Sequence, residues 1–155
     1  MTETDLNPAG TLEQRLLDRL ELVELVSRYA RAVDQCDWPA FGQIFASDAD
    51  ADYSAAARRA GSEEQARLAG PRPRGRAAIV SWLQSARAGG PEQMRFLTNN
   101  IVEELAGNRA RTWHYVHERH GAYGSYQVEA VRTTGGWRIA RLTADVTPPP
   151  PATLT

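Results

Sequence analysis

Asp34 stands near the end of a helical apolar pattern made by Leu16, Leu17, Leu20, Val23, Val26, Tyr29, Ala30 and Val33, at spacings of three and four. At about 100° per residue it lies only about 20° around the axis from Val23. A carboxylate therefore falls where the pattern expects a core side chain. Burial raises such a group's pKa, and a neighbouring arginine lowers it. The first case makes a general base or acid; the second makes an ion pair that still accepts a proton. A helix-end carboxylate, solvated or bridged to a neighbour, is the plainer alternative.

A second cluster is the stretch RARTWHYVHERH at residues 109–120, with His114, His117 and His120. The spacing suggests a metal site, but strand geometry excludes it. Alternation sends His117 to the face opposite His114 and His120, and those two are about 20 Å apart at roughly 3.3 Å per residue. One ion cannot bridge them, so no metal is expected. Histidine can instead exchange protons near neutral pH. If His120 faces a pocket, so do Glu118, Val116 and His114, which makes Glu118 a second pocket acid. Trp113, Tyr115, His117 and Arg119 then face the other way. A surface histidine at the strand end is the alternative for His120.

Trp38, Phe41 and Phe45 repeat at three and four, as core residues do, and would also roof a pocket. The Arg72-Pro-Arg74-Gly-Arg76 run could hold an anion, or be a solvated loop. It lacks the interleaved aromatics of a single-strand binder. The sequence carries no phosphate-cradling loop, dinucleotide fingerprint, nucleophile elbow or Cys-x-x-Cys pair.

These residues need elements to position them. Thr11 can cap a helix over 12–36, and Asp37 a short one over 37–45 with Pro39 in its first turn. Residues 49–54 read as a short strand or turn, 55–74 as a long loop of the kind that forms lids, and 76–88 as a helix stopped by Gly89-Gly90-Pro91. Four strands follow, at 95–105, 109–120, 123–133 and 137–146, separated by Gly107-Asn108, Gly121 and Gly135-Gly136. Helices first and strands last predict an α+β domain, with helices on one face of a curved, mainly antiparallel sheet. Its span is 11–146, between a polar N-terminus at 1–10 and a proline-rich, extended tail at 147–155.

The totals narrow the class. At 155 residues the chain suffices for one domain with a real core. A net charge of −1 gives no general attraction to nucleic acid or acidic lipid. No run is long enough to span a membrane, and the N-terminus lacks a basic-then-apolar export signal. Cys36 is the only cysteine, which fits a reducing cytoplasm. All 18 basic residues are arginine, as in a GC-rich genome.

The order of elements, with Tyr29-Ala-Arg-Ala-Val-Asp34, Asp37-Trp38, Asp52-Tyr53, Gly75 before a helix holding Trp82-Leu83, Phe96-Leu-Thr-Asn99, the His-bearing strand and Gly136-Trp-Arg-Ile139, resembles the SnoaL-like branch of the nuclear-transport-factor-2-like fold. That branch includes polyketide cyclases, scytalone dehydratase and a hexachlorocyclohexane dehydrochlorinase. The resemblance implies a cone whose sheet wraps an apolar pocket closed by the helices, with the far side of the sheet as the oligomer surface. It implies a pocket role for Asp34, Tyr53 and His120, and places Tyr126 where scytalone dehydratase has a pocket asparagine. In the dehydratase and the dehydrochlorinase, the acid at the Asp34 position works with a histidine. Here that position is Arg95, so the acid–histidine dyad does not carry over.

Arg95 can be a structural partner of Asp34 or a preorganised cation for a developing oxyanion. Tyr53 and Tyr126 are either core aromatics with bonded hydroxyls or donors to a carbonyl or enolate oxygen. Read with the resemblance, the catalytic set is Asp34, His120, Tyr53 and Arg95. Glu118, Tyr126, Trp38, Phe41, Val116 and Asn99 form the substrate wall. No cofactor is needed. The expected function is acid–base chemistry on a hydrophobic, oxygenated small molecule: cyclisation, dehydration or isomerisation in polyketide or other natural-product biosynthesis. A non-catalytic pocket protein and an epoxide-opening enzyme with an Asp–Arg arrangement are the alternatives. The partners expected are that small molecule and further copies of the chain, as a dimer or trimer, with no nucleic acid or membrane.

Overall fold

Thr11 starts the first helix: its hydroxyl accepts the Gln14 N–H at 3.1 Å, and α1 runs Leu12–Asp34. The computed structural model describes residues 10–55, 72–90 and 92–149. Asp37 caps α2, Trp38–Ile44, by accepting the Ala40 N–H at 3.1 Å, with proline in the first turn. The chain passes directly into β1, Phe45–Asp52, which is longer than the strand expected over 49–54. Parallel pairing with the last strand extends it, from Phe45 opposite Ile139, past an irregularity, to Asp52 opposite Thr143. Gly75, at φ +85°, supplies the left-handed turn that opens α3, Arg76–Arg87. Then come β2 Arg95–Ala106, β3 Arg109–Glu118, β4 Tyr123–Thr133 and β5 Gly136–Thr147.

The five strands lie in the order β1-β5-β4-β3-β2, antiparallel except for β1 against β5. The sheet is mixed and does not close, and the three described helices complete an α+β fold of the expected cone type. Leu22, Leu25, Val26, Tyr29, Phe41, Phe45, Ile79, Val128, Ile139 and Leu142 fill the core between helices and sheet.

One expectation is corrected. Leu16, Leu17 and Leu20 are exposed; the buried face of α1 starts at Asp18 and continues through Leu22, Leu25 and Tyr29. By about 100° per residue, Leu16 and Leu20 lie about 160° around the helix from Asp18. Asp34 shares their side of the helix and reaches the flank of the core instead of its centre. The reason is Asp18: its carboxylate accepts from Trp137 Nε1 at 3.2 Å and Gln14 Nε2 at 3.0 Å and pairs with Arg132, which turns that face inward. The expected lid at 55–74 falls mainly on 56–71, outside the described residues, as do 1–9 of the N-terminus and 150–155 of the tail.

Candidate active site

The last residue of α1 meets the first residue of β2. The Arg95 main-chain N–H donates to Asp34 Oδ2 at 2.8 Å, and its guanidinium Nη1 pairs with Oδ1. Nη2 donates to Gln93 Oε1 at 2.6 Å. Arg95 and Glu118 face each other in the β2–β3 ladder, and Nε lies 3.1 Å from Glu118 Oε1, within ion-pair range though not aligned as a hydrogen bond. The side chains are 9% exposed for Arg95, 15% for Asp34 and 12% for Glu118, so the three charges interact with little solvent between them. Burial works against the Arg95 cation. Tyr126, Glu118, Tyr29 and Asp34 around it more than offset this, and its pKa lies above the ordinary guanidinium value. It stays charged at any working pH.

Three tyrosines adjoin this centre. The Tyr29 and Tyr53 hydroxyls are 3.0 Å apart, and the Tyr53 ring stacks on Trp82 with centroids 4.6 Å apart. Tyr29 meets Tyr126 edge-on at 5.5 Å. Burial foremost raises all three phenol pKa values; Arg95 pulls the other way on each without reversing it. All three therefore remain neutral hydroxyls and can donate. Arg95 is close enough to Tyr126 for its charge to draw the phenol pKa down against burial.

Asp34 stands between two openings. A cavity of about 430 Å³ is lined by Ser27, Ala30, Asp34, Gln93, Arg95 and Leu97. Another of about 440 Å³ touches Asp34, Cys36, Trp38 and Gln84.

The structure thus brings Asp34, Arg95, Glu118 and Tyr126 together, with Tyr53 joined to them through Tyr29. Val116 is buried on the same face of β3 as Glu118. Trp38 is partly buried and meets Phe41 edge-on at 5.9 Å, while Phe41 is wholly enclosed and tilted against Tyr29. Two residues lie elsewhere. His120 is exposed, and its Nε2 is 3.0 Å from the Glu92 carbonyl. The strand ends at Glu118 because Gly121, at φ +94°, closes a turn by donating to the Glu118 carbonyl at 2.9 Å, so alternation does not reach His120. Asn99 is exposed at φ +53°, in an irregularity of β2 between Thr98 and Ile101. Its neighbour Asn100 is also exposed, but its Oδ1 lies 2.7 Å from His114 Nδ1.

His114 is fully buried, its Nε2 2.8 Å from Thr112 Oγ1, and burial lowers its pKa to about 4. Tyr29, Gln93 and Asn100 are the residues that sequence reasoning passed over. For Tyr29 the signal was present, a hydroxyl within the apolar stripe of α1. Two members of the arginine run have partners within the fold: Arg72 pairs with Asp52 at 2.9 Å, and Arg76 Nε donates to the Phe45 carbonyl at 2.9 Å; Arg72 and Arg74 are exposed. Among the described residues, no group of three or more His, Cys, Asp or Glu is placed to hold a metal ion.

Comparison with known proteins places the fold. A family model described as the SnoaL-like domain matches residues 14–143. A candidate aromatic ring hydroxylase from Novosphingobium aromaticivorans is 27% identical with a TM-score of 0.67, over 85% of this chain and 89% of the other. A candidate scytalone dehydratase from the same organism has a TM-score of 0.73 at 14% identity, over 94% of each chain. An NTF2-like protein with a cystatin-like fold, also from that organism, has a TM-score of 0.63 at 23% identity, over 84% and 83%. No curated protein matches the chain.

Proposed function

The chain belongs to the SnoaL-like domain family, and from that premise we propose that it is a cofactor-free acid–base enzyme acting on a hydrophobic, oxygenated small molecule. The observation that carries the reading is the buried Arg95 cation held between two carboxylates and beside the Tyr126 hydroxyl. A carboxylate takes a proton from a carbon next to a carbonyl. The electron pair of the C–H bond forms a new carbon–carbon double bond, and the carbonyl π pair moves onto the oxygen. Arg95 and Tyr126, with Tyr53 behind them, are fixed donors suited to that developing charge. Cyclisation, dehydration and isomerisation all begin with this step, and all three serve polyketide and other natural-product biosynthesis. In cells we expect a cytoplasmic homo-oligomer, a dimer or trimer joined through the sheet face with Trp113 and Tyr115.

The test is solvent deuterium exchange at the carbon next to the carbonyl in a panel of hydrophobic aryl ketones, followed by proton NMR. Exchange faster than with the same concentration of acetate supports the reading, and none above it would remove it. A second reading, a non-catalytic binding pocket, is favoured by Arg95 occupying both oxygens of Asp34. It predicts ketone binding without exchange. The Asp34–Arg95 pair also suits epoxide opening, which would show as diol formation from an aryl epoxide.

A further inference from the structure

The two carboxylates on Arg95 are not equivalent. Asp34 accepts at both oxygens, from the Arg95 main-chain N–H at 2.8 Å and from Nη1. The main-chain donor belongs to β2 and cannot swing away. Glu118 has only the unaligned approach of Oε1 to Nε at 3.1 Å, and among the described residues no hydrogen bond reaches its Oε2. A carboxylate oxygen that already accepts a hydrogen bond from a fixed donor is less open to an incoming substrate proton than one that accepts none; the hydrogen bonds at the two acids differ in this way. Asp34 takes two of them, and Glu118 takes none that is aligned. Strand alternation puts Glu118 on the inner face with Val116 and His114, where its charge acts on the Tyr126 hydroxyl.

We infer that Glu118, not Asp34, takes the substrate proton, and that Asp34 is a positioning residue that holds Arg95 in place. The inference rests on the acid–base reading above. In the step, the substrate C–H bond breaks and its proton passes to Glu118 Oε2; its electron pair forms the carbon–carbon double bond of the enolate, and the carbonyl π pair moves onto the oxygen facing Tyr126 and Arg95.

A neutral aromatic carbon acid tests this without the natural substrate. In nitrobenzisoxazole a base removes the ring C–H proton, the C–H electron pair completes a nitrile, and the N–O bond breaks to release a coloured cyano-nitrophenolate. The rate is measured against pH for wild type, Asp34→Asn and Glu118→Gln, with thermal melting to confirm folding. Glu118→Gln is expected to lose about 10²–10⁴-fold and its acid limb, as removal of a general base does. Asp34→Asn, which loosens the hold on Arg95, should lower the rate but keep that limb. Glu118→Ala should regain rate with added formate, which a purely structural glutamate would not. The opposite pattern, Asp34→Asn inactive and Glu118→Gln active, would overturn the inference and leave the acid–base reading standing. A wild-type rate no higher than that of equimolar acetate would overturn both.

Discussion

Arg95 joins three partners through different atoms, and this decides what its loss does. Arg95→Ala strands two largely buried carboxylates, a change expected to cost about 3 kcal/mol, read by urea unfolding. Arg95→Lys should recover only a small part, because one ammonium cannot reproduce the fork that meets Asp34, Gln93 and Glu118. His114 gives a separate prediction. Burial holds its pKa at about 4 against an ordinary 6.5, so the unfolded chain binds the extra proton between those values. Its contribution is full above about 6.5 and is lost as pH falls towards 4, by about 3 kcal/mol in all. His114→Gln should flatten the pH dependence of the melting temperature in that window. Asp18 acts further down: its hydrogen-bond donors outweigh burial and lower its pKa below 3.8, so its contribution fades only in stronger acid. At this scale Glu118 was readable from alternation along β3, and the Asp34–Arg95 pair from the resemblance. Asn100 was not, because an irregularity in β2 breaks the alternation and brings its side chain, not that of Asn99, to His114.

Elements explain the remaining misplacements. In α1 the leucines of the first turns looked like core, yet the helix is oriented by Asp18, whose partners Trp137 and Arg132 lie over a hundred residues away in sequence. No local pattern carries that information. Leu20→Gln, at a 66% exposed site, should therefore change stability by less than about 0.5 kcal/mol. Leu22→Ala, at 1% exposure, should cost about 2–5 kcal/mol. Equal effects in urea unfolding would mean that the helix is rotated from the position described. His120 fails for a simpler reason: the turn at Gly121 ends β3 two residues earlier than its histidine spacing suggested. Caps and glycine turns, which act within a few residues, were legible, and so the order of elements was too.

For the whole molecule, the outer face of the sheet is the largest unexplained feature. Phe96 stacks on His117 at 5.0 Å, Trp113 meets Tyr115 at 4.3 Å, and Phe96, Ile101, Tyr115 and Tyr123 are each at least 43% exposed. A patch of this kind is more apolar than a monomer usually presents to water. Light scattering at micromolar concentration should give a dimer or trimer mass, and Tyr115→Arg should shift it towards the monomer. A wild-type monomer would contradict the proposed assembly without touching the site, which lies on the inner face. Among the described residues no helix is long and apolar enough to cross a membrane.

The central claim is that a carboxylate held at Arg95 removes a proton from carbon, whichever of the two it is. The most direct measurement compares wild type with the Asp34→Asn, Glu118→Gln double variant in deuterium exchange of hydrophobic aryl ketones. Both amides keep the shape of the site and remove its bases. The account predicts exchange by the wild type and a loss of about 10²–10⁴-fold in a folded double variant. Equal exchange by the two proteins would contradict it.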